Sequence, residues 1–213
     1  MIKIIPSILA KTSEEFEKMV RMVEPYVDRV HLDIGDGEFV STKTISGHEE
    51  LIKIETKVKF DVHLMVSKPE NQMYFWYETK ADRFFIHAET DHGHASLIEQ
   101  IHFNNRKVGM VLNPETQIEK IAEIIENIDF VQFMTVQPGF YGSEFEESVV
   151  NKIMEFHGQY PNMPIFVDGS VNPETLLRLV AVGATNLVVG SYIINSPDVG
   201  KAIEELNKLS NNG

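Results

Sequence analysis

The chain has 213 residues, no cysteine and a formal net charge of -13. That length can hold one large domain with a real core, residues 1–213, and the acidic balance argues against nucleic acid as a partner, because a phosphate backbone calls for a basic surface. No apolar run approaches the roughly 20 residues of a membrane span, the N-terminus shows neither a basic leader nor a small-residue cleavage site, and the lack of thiols fits a cytoplasmic protein.

Taken in chain order, the first predicted strand is Ile2–Leu9, which contains Pro6. Thr12-Ser13-Glu14-Glu15 then matches a capping box, and Phe16, Met19, Val20 and Val23 form a stripe at helical spacing. Arg29–Ile34 is the second strand and Val58–Val66 the third. Successive side chains of a strand alternate between faces, so His31 projects with Asp33, and Asp61 with His63. Phe84–His87 follows. After it the run His87-Ala88-Glu89-Thr90-Asp91-His92-Gly93-His94 is rich in metal-ligand types, but its spacing matches no recognised site. We read it as a solvated loop, with His87 hydrogen-bonded to its neighbours at a strand end.

Leu97, Ile98 and Ile101 mark the next helix, and Val108–Leu112 the next strand. Asn113-Pro114-Glu115 offers an N-cap with proline at the first helical position, leading into a stripe of Ile118, Ile121, Ala122 and Ile125. Phe130–Val136 and Ile165–Asp168 are strands. Asn172-Pro173-Glu174 starts a helix with Leu176, Leu177 and Val180 on its apolar face. Leu187–Gly190 is the last strand, and Ser196-Pro197-Asp198 starts the last helix.

Eight strands alternating with helical segments predict an α/β fold, a single (β/α)₈ TIM barrel. An open doubly wound sheet would call for a glycine-rich dinucleotide loop after the first strand, and none follows Ile8. Active sites of such barrels lie at the C-terminal ends of the strands. His31, Asp33, His63 and Asp168 all fall there. Two imidazoles and two carboxylates suit a divalent metal with nitrogen and oxygen ligands, and burying such acids unpaired would be costly.

Several motifs together resemble one known family, the ribulose-phosphate 3-epimerases. They are Pro6-Ser7-Ile8-Leu9, His31-Leu32-Asp33-Ile34, Asp36-Gly37, Asp61-Val62-His63-Leu64-Met65-Val66, Leu112-Asn113-Pro114, Met134-Thr135-Val136, Pro138-Gly139-Phe140, Val167-Asp168-Gly169 and Gly190-Ser191. The resemblance implies the same barrel and proton transfer at C3 of a ketose phosphate, D-ribulose 5-phosphate to D-xylulose 5-phosphate. It implies one divalent metal ion per subunit (zinc, manganese, iron or cobalt) on His31, Asp33, His63 and Asp168. Asp33 and Asp168 would also be the proton-transfer pair, one on each face of C3, with the metal stabilising the enediolate through the C2 and C3 oxygens. Ser7 and His63 would touch substrate, and Met65 and Met134 would form an apolar wall. Gly139, Phe140, Tyr141, Gly142, Gly169, Ser170, Gly190 and Ser191 would receive the phosphate through backbone N–H groups. A homo-oligomer is implied as well.

Some positions depart from the family pattern. Gly35 stands where Met is usual and is expected to open space in the pocket. Glu38 replaces His, Ser41-Thr42 replaces Pro-Asn, Tyr141 interrupts the glycine-rich loop, and Ser170 replaces a second Gly. His87-Ala88-Glu89-Thr90, Asn113-Pro114-Glu115-Thr116 and Asp168-Gly169-Ser170 are similar to the allulose-6-phosphate 3-epimerases, which makes a hexulose phosphate the alternative substrate. A non-catalytic sugar-phosphate-binding barrel is the rival from another class. A decarboxylase would place Lys between two acids, and Asp61–Val66 contains neither that Lys nor a second acid.

Overall fold

The computed structural model describes residues 2–90, 93–139 and 144–212. Eight parallel strands close into a barrel in sequence order. They are β1 (Lys3–Ile8), β2 (Arg29–Gly35), β3 (Lys59–Met65), β4 (Ala81–His87), β5 (Lys107–Leu112), β6 (Phe130–Met134), β7 (Ile165–Asp168) and β8 (Asn186–Val189). The helices are α1 (Ser13–Val23), α2 (His48–Lys53), α3 (Met73–Tyr77), α4 (His94–Phe103), α5 (Ser148–Gln159), α6 (Pro173–Ala181), α7 (Ser191–Ile194) and α8 (Val199–Asn212). None is long and apolar enough to cross a membrane.

The strands are apolar on both faces because helices cover the barrel outside while side chains fill it inside. Outward-facing Leu32, Val62, Phe84 and Val131 join the large core beneath the helices. Inward-facing Ile5, Phe85, Val111, Phe130, Phe166 and Val188 form a second core within the barrel. Gly109 is required there: a Cβ at this position would fall inside the ring of Phe130. Thus the barrel is a packed plug, and only its two mouths are open to chemistry.

Local signals set most helix starts. The Thr12 hydroxyl accepts from the Glu15 N–H at 3.2 Å, while the Glu15 carboxylate turns back to the Lys11 N–H at 2.8 Å, one residue earlier than a capping box requires. Asn172 caps α6 through its side-chain oxygen, with Pro173 at the first helical position.

Three expectations are corrected. Asn113-Pro114-Glu115 forms a turn, not a helix start, because the Lys152 ammonium donates to the carbonyls of Asn113, Pro114 and Thr116 at 3.1, 2.5 and 2.7 Å. The stripe beyond it consequently winds as two 3₁₀ turns, Ile118–Ile121 and Ile125–Asn127. The last helix begins two residues later than expected, since Asp198, not Ser196, accepts from the Lys201 N–H at 2.9 Å. On α6 the buried face is Thr175, Leu176 and Leu179, and Leu177 is exposed.

The N-terminal mouth is closed by ions. Asp61 is fully buried. It accepts from Arg29 at 2.7 Å and from Arg83 through two bonds of 2.5 Å, and Arg29 also reaches Asp82. Burial alone would raise the Asp61 pKa, but the His31 imidazole and the guanidiniums of Arg83 and Arg29 hold it below the usual carboxylate range. Its contribution to stability is present above the unfolded value of about 4 and is lost as pH falls through the lowered folded value. Asp61→Ala leaves two cations facing an apolar interior and should cost about 3–5 kcal/mol. Urea unfolding should show a lowered midpoint at unchanged slope; a wild-type midpoint would mean that the arginines find other acceptors.

Candidate active site

The site follows from strand alternation and register. Asp33 lies two residues after His31 on β2, so both point inward, and in the β2–β3 register Asp33 sits beside His63. Ser7 pairs with His31, and Met134 pairs with Asp168. The barrel therefore gathers one side chain from each of several strand ends at its C-terminal mouth.

His31, Asp33, His63 and Asp168 are all buried, and one donor atom of each lies within 4.8 Å of the others. His63 Nδ1 is 2.8 Å from Asp33 Oδ1 and 3.6 Å from Asp168 Oδ2. His31 Nε2 is 3.8 Å from Asp33 and 3.9 Å from Asp168. Neither ring nitrogen of His31 has a hydrogen-bond partner among the described residues, and its Nδ1 lies 3.9 Å from Asp61. A fully buried imidazole with both nitrogens unsatisfied is costly. A cation among the four donors removes that cost, and two imidazoles with two carboxylates form a donor set suited to a divalent metal.

Electrostatics point the same way. Burial, and then the charge of Asp33, push the Asp168 carboxyl up to about 8 against the opposing pull of His63. Two acids that close cannot both ionise without a counter-charge. A metal bound near neutral pH must therefore displace a proton from Asp168. Apparent Mn²⁺ affinity should rise about fivefold between pH 7 and 8 and flatten above that. Calorimetry in two buffers of different ionisation heat checks this through proton release; affinity independent of pH in that interval would contradict it.

The pocket over these residues is lined by Ser7, Leu9, Met65, Met134, Val136, Pro138, Gly139, Gly169, Ser170, Val171, Gly190 and Ser191, together with Asp33, His63 and Asp168. It thus gathers every described residue that the family resemblance assigned to substrate. Phe140, Tyr141 and Gly142 lie outside the described residues. Val171 lines the pocket but lies in none of the motifs, while Leu9, Val136 and Pro138 lie in motifs without having been given a substrate role. Gly169 has φ +114°, and Ser170 follows at φ +47°. Ser170 thus holds a backbone conformation that favours glycine, at some cost in strain.

The segment after β4 is not solvated throughout: His87, Ala88 and Thr90 are buried. His87 Nε2 lies 2.9 Å from His63 Nε2, and His87 Nδ1 lies 3.1 Å from Glu89. Burial lowers the His87 pKa to about 4. The Glu89 carboxylate, which burial would raise, is brought to about 2 chiefly by His87. The sequence signal was the alternation His87-x-Glu89 at a strand end.

Gly35, in turn, opens no space. A Cβ there would fall inside the Thr42 carbonyl oxygen and 3.0 Å from the Val40 side chain. The chain after β2 folds back, with Gly35 N–H on Thr44 Oγ1 and Thr44 N–H on the Gly35 carbonyl, both at 3.0 Å. Asp36 ties this loop by accepting from the Glu38, Phe39 and Ser67 N–H groups at 2.7–2.8 Å. Gly35→Ala should destabilise the protein by about 1–3 kcal/mol, and Gly35→Met by more. Denaturant melts of both measure this; a Met variant as stable as wild type would mean that the loop yields freely.

The fold and site together define a (β/α)₈ barrel with a buried two-histidine, two-carboxylate centre at the C-terminal ends of its strands. The family model described as "Ribulose-phosphate 3 epimerase family" matches residues 3–194, and the chain belongs to that family. It is 36% identical to "Ribulose-phosphate 3-epimerase" of Bacillus subtilis, over 97% of this chain and 98% of that one. It is 32% identical to the "Ribulose-phosphate 3-epimerase, cytoplasmic isoform" of Oryza sativa, over 97% and 93%. Among solved structures it is similar to 3-hexulose-6-phosphate synthase from Salmonella typhimurium, with a TM-score of 0.73, 13% identity and 99% of each chain covered. It is also similar to orotidine 5'-monophosphate decarboxylase from Sulfolobus solfataricus, with a TM-score of 0.66, 13% identity and coverage of 100% and 99%. At those identities the structures bear on the fold alone. The family is one that uses a divalent metal, and the buried cluster fits one.

Proposed function

We propose that this protein is a metal-dependent 3-epimerase that interconverts D-ribulose 5-phosphate and D-xylulose 5-phosphate. The observation that carries this reading is the convergence of Asp33 and Asp168, from β2 and β7, on one buried histidine pair. Residues 1–213 would act as one domain. His31, Asp33, His63 and Asp168 would hold one ion, and zinc, manganese, iron and cobalt all suit that donor set. When bound, the ion supplies positive charge beside the ketone oxygen, which makes the C3 proton acidic enough for a carboxylate to remove.

The remaining steps belong to the chain itself. One carboxylate takes the proton from one face of C3, and the other returns a proton from the opposite face. Without the ion, the raised pKa of Asp168 and its proximity to Asp33 favour one charged and one protonated acid in the pair; with the ion bound, the proton that the second acid returns is drawn from solvent. Ser7 would orient the sugar, and Met65 and Met134 would exclude water from the enediolate. Backbone N–H groups of Gly139, Gly169, Ser170, Gly190 and Ser191 would take the phosphate, and we propose the same role for Phe140, Tyr141 and Gly142. This accounts for how a chain of charge -13 could bind an anion locally. We further propose a cytoplasmic homo-oligomer.

The case for a hexulose phosphate loses its steric support, because Thr42 and Val40 fill the room beside Gly35. A purely binding barrel would have no use for two acids facing one another. Deuterium uptake at C3 in heavy water, followed by proton NMR with added Mn²⁺, tests the proposal. Exchange should be fast on ribulose 5-phosphate, slow on allulose 6-phosphate and abolished by a chelator. Asp168→Asn should lower it by about 10²–10⁴-fold in a folded protein. Near-full activity of that variant would rule out the two-acid mechanism, and faster exchange on the hexulose would reassign the substrate.

A further inference from the structure

We propose, resting on the reading of this mouth as a phosphate site, that Thr135 and Thr175 are positioning residues. Their hydroxyls hold two successive carbonyls after β7, and this turns the Ser170 and Val171 N–H groups toward the phosphate. Both threonines are buried. Neither lines the pocket, to which Gly169, Ser170 and Val171 all contribute.

Peptide geometry links the hydroxyls to the N–H groups. The peptide bonds here are trans, so each carbonyl and the N–H that follows it point in opposite directions. Thr135, the residue after β6, donates its N–H to the Asp168 carbonyl at 2.8 Å. Its hydroxyl donates to the Gly169 carbonyl. Two successive carbonyls therefore face one residue, whereas along a strand they would alternate. The reversal falls at Gly169, whose φ of +114° suits glycine. With the Gly169 carbonyl turned back to Thr135, the Ser170 N–H faces away from Thr135, on the pocket side.

The next peptide is held in the same way. The Ser170 carbonyl accepts from Thr175 Oγ1 at 3.0 Å and from Asn172 Nδ2 at 3.2 Å. Thr175 Oγ1 itself accepts from the Asn172 N–H at 3.1 Å, so the hydroxyl is engaged on both sides. The Val171 N–H consequently points away from Thr175, and no acceptor among the described residues takes it. Val171 is buried, and a buried N–H calls for a partner. Successive N–H groups in a turn of this kind form a concavity suited to an anion. Ser170 keeps its φ of +47° only while its neighbours hold it. Without the two hydroxyls the segment would relax toward an extended path, and the two N–H groups would diverge.

Thr135→Val keeps the shape of the side chain and removes its donor. It should raise the KM for ribulose 5-phosphate and the Kd for inorganic phosphate, each by about tenfold, with kcat within about twofold of wild type. Thr135→Ser, which retains the hydroxyl, should restore both. Thr175→Val should act in the same direction, and Thr175→Ser should restore it. Thermal melts and Mn²⁺ calorimetry verify that each variant keeps its fold and its centre. In ¹H–¹⁵N spectra of the wild type, added phosphate should move the Ser170 and Val171 amide protons downfield. Unchanged phosphate affinity in a folded Thr135→Val, or Ser170 and Val171 amides that do not respond to phosphate, would overturn the proposal. So would a wild type that binds no phosphate. A wild type that binds phosphate but leaves ribulose 5-phosphate unchanged would instead overturn the reaction assigned above, while the phosphate affinities still decide the role of the threonines.

Discussion

The repulsion between two buried acids governs this molecule. Asp33 and Asp168 reach the same small volume from opposite parts of the barrel, and Asp168 answers with a pKa pushed up to about 8. In water such a pair would separate. Here the strands hold it: Asp168 is laddered to both β6 and β8, and Asp33 to β3, one residue beyond the end of its ladder with β1. The cost is met by histidines that can share protons or a cation, and the same charge tension makes a proton-transfer pair available near neutral pH.

The rest of the barrel isolates that tension. Below the centre lies an aromatic plug in which Phe85, Phe130 and Phe166 stand 4.4–5.0 Å apart. The His31 ring packs edge-on against Phe85 at 4.6 Å. Below the plug the ionic knot of Asp61, Arg29 and Arg83 closes the other mouth. The aromatic rings separate the two charged layers except at His31, whose Nδ1 lies 3.9 Å from Asp61. The low local dielectric strengthens every interaction in both.

The loop from Asp36 to Thr44 shows why a substitution has to be read in three dimensions. Glycine at position 35 looks like a lost side chain and an enlarged pocket. In the folded chain the vacated volume is taken by the Thr42 carbonyl, and Val40 packs against Gly139 across the mouth. Phe39 from the same loop covers His87. The loop thus exchanges a side chain for backbone. The wall of the site is kept, and the loop becomes part of the support behind His63.

Strand alternation in His31-Leu32-Asp33 and Asp61-Val62-His63, apolar runs bounded by turn residues, and the repeated strand–helix order were enough to indicate the barrel and its four central residues. These are local features with a period of two or of 3.6, and periodicity is legible in one dimension. Asn172 could be read as a cap for the same reason. Asn113 could not, because Lys152 from a distant helix takes its carbonyl. Likewise no local pattern says that His87 stacks on His63, that Asp61 belongs to Arg29 and Arg83 more than to His31, or that Thr42 fills the room beside Gly35. Each of these depends on where barrel closure places a residue from another part of the chain. Sequence by itself determined which side chains share a strand face; tertiary structure alone decided their partners across the barrel, and with them the protons and charges that the site can hold.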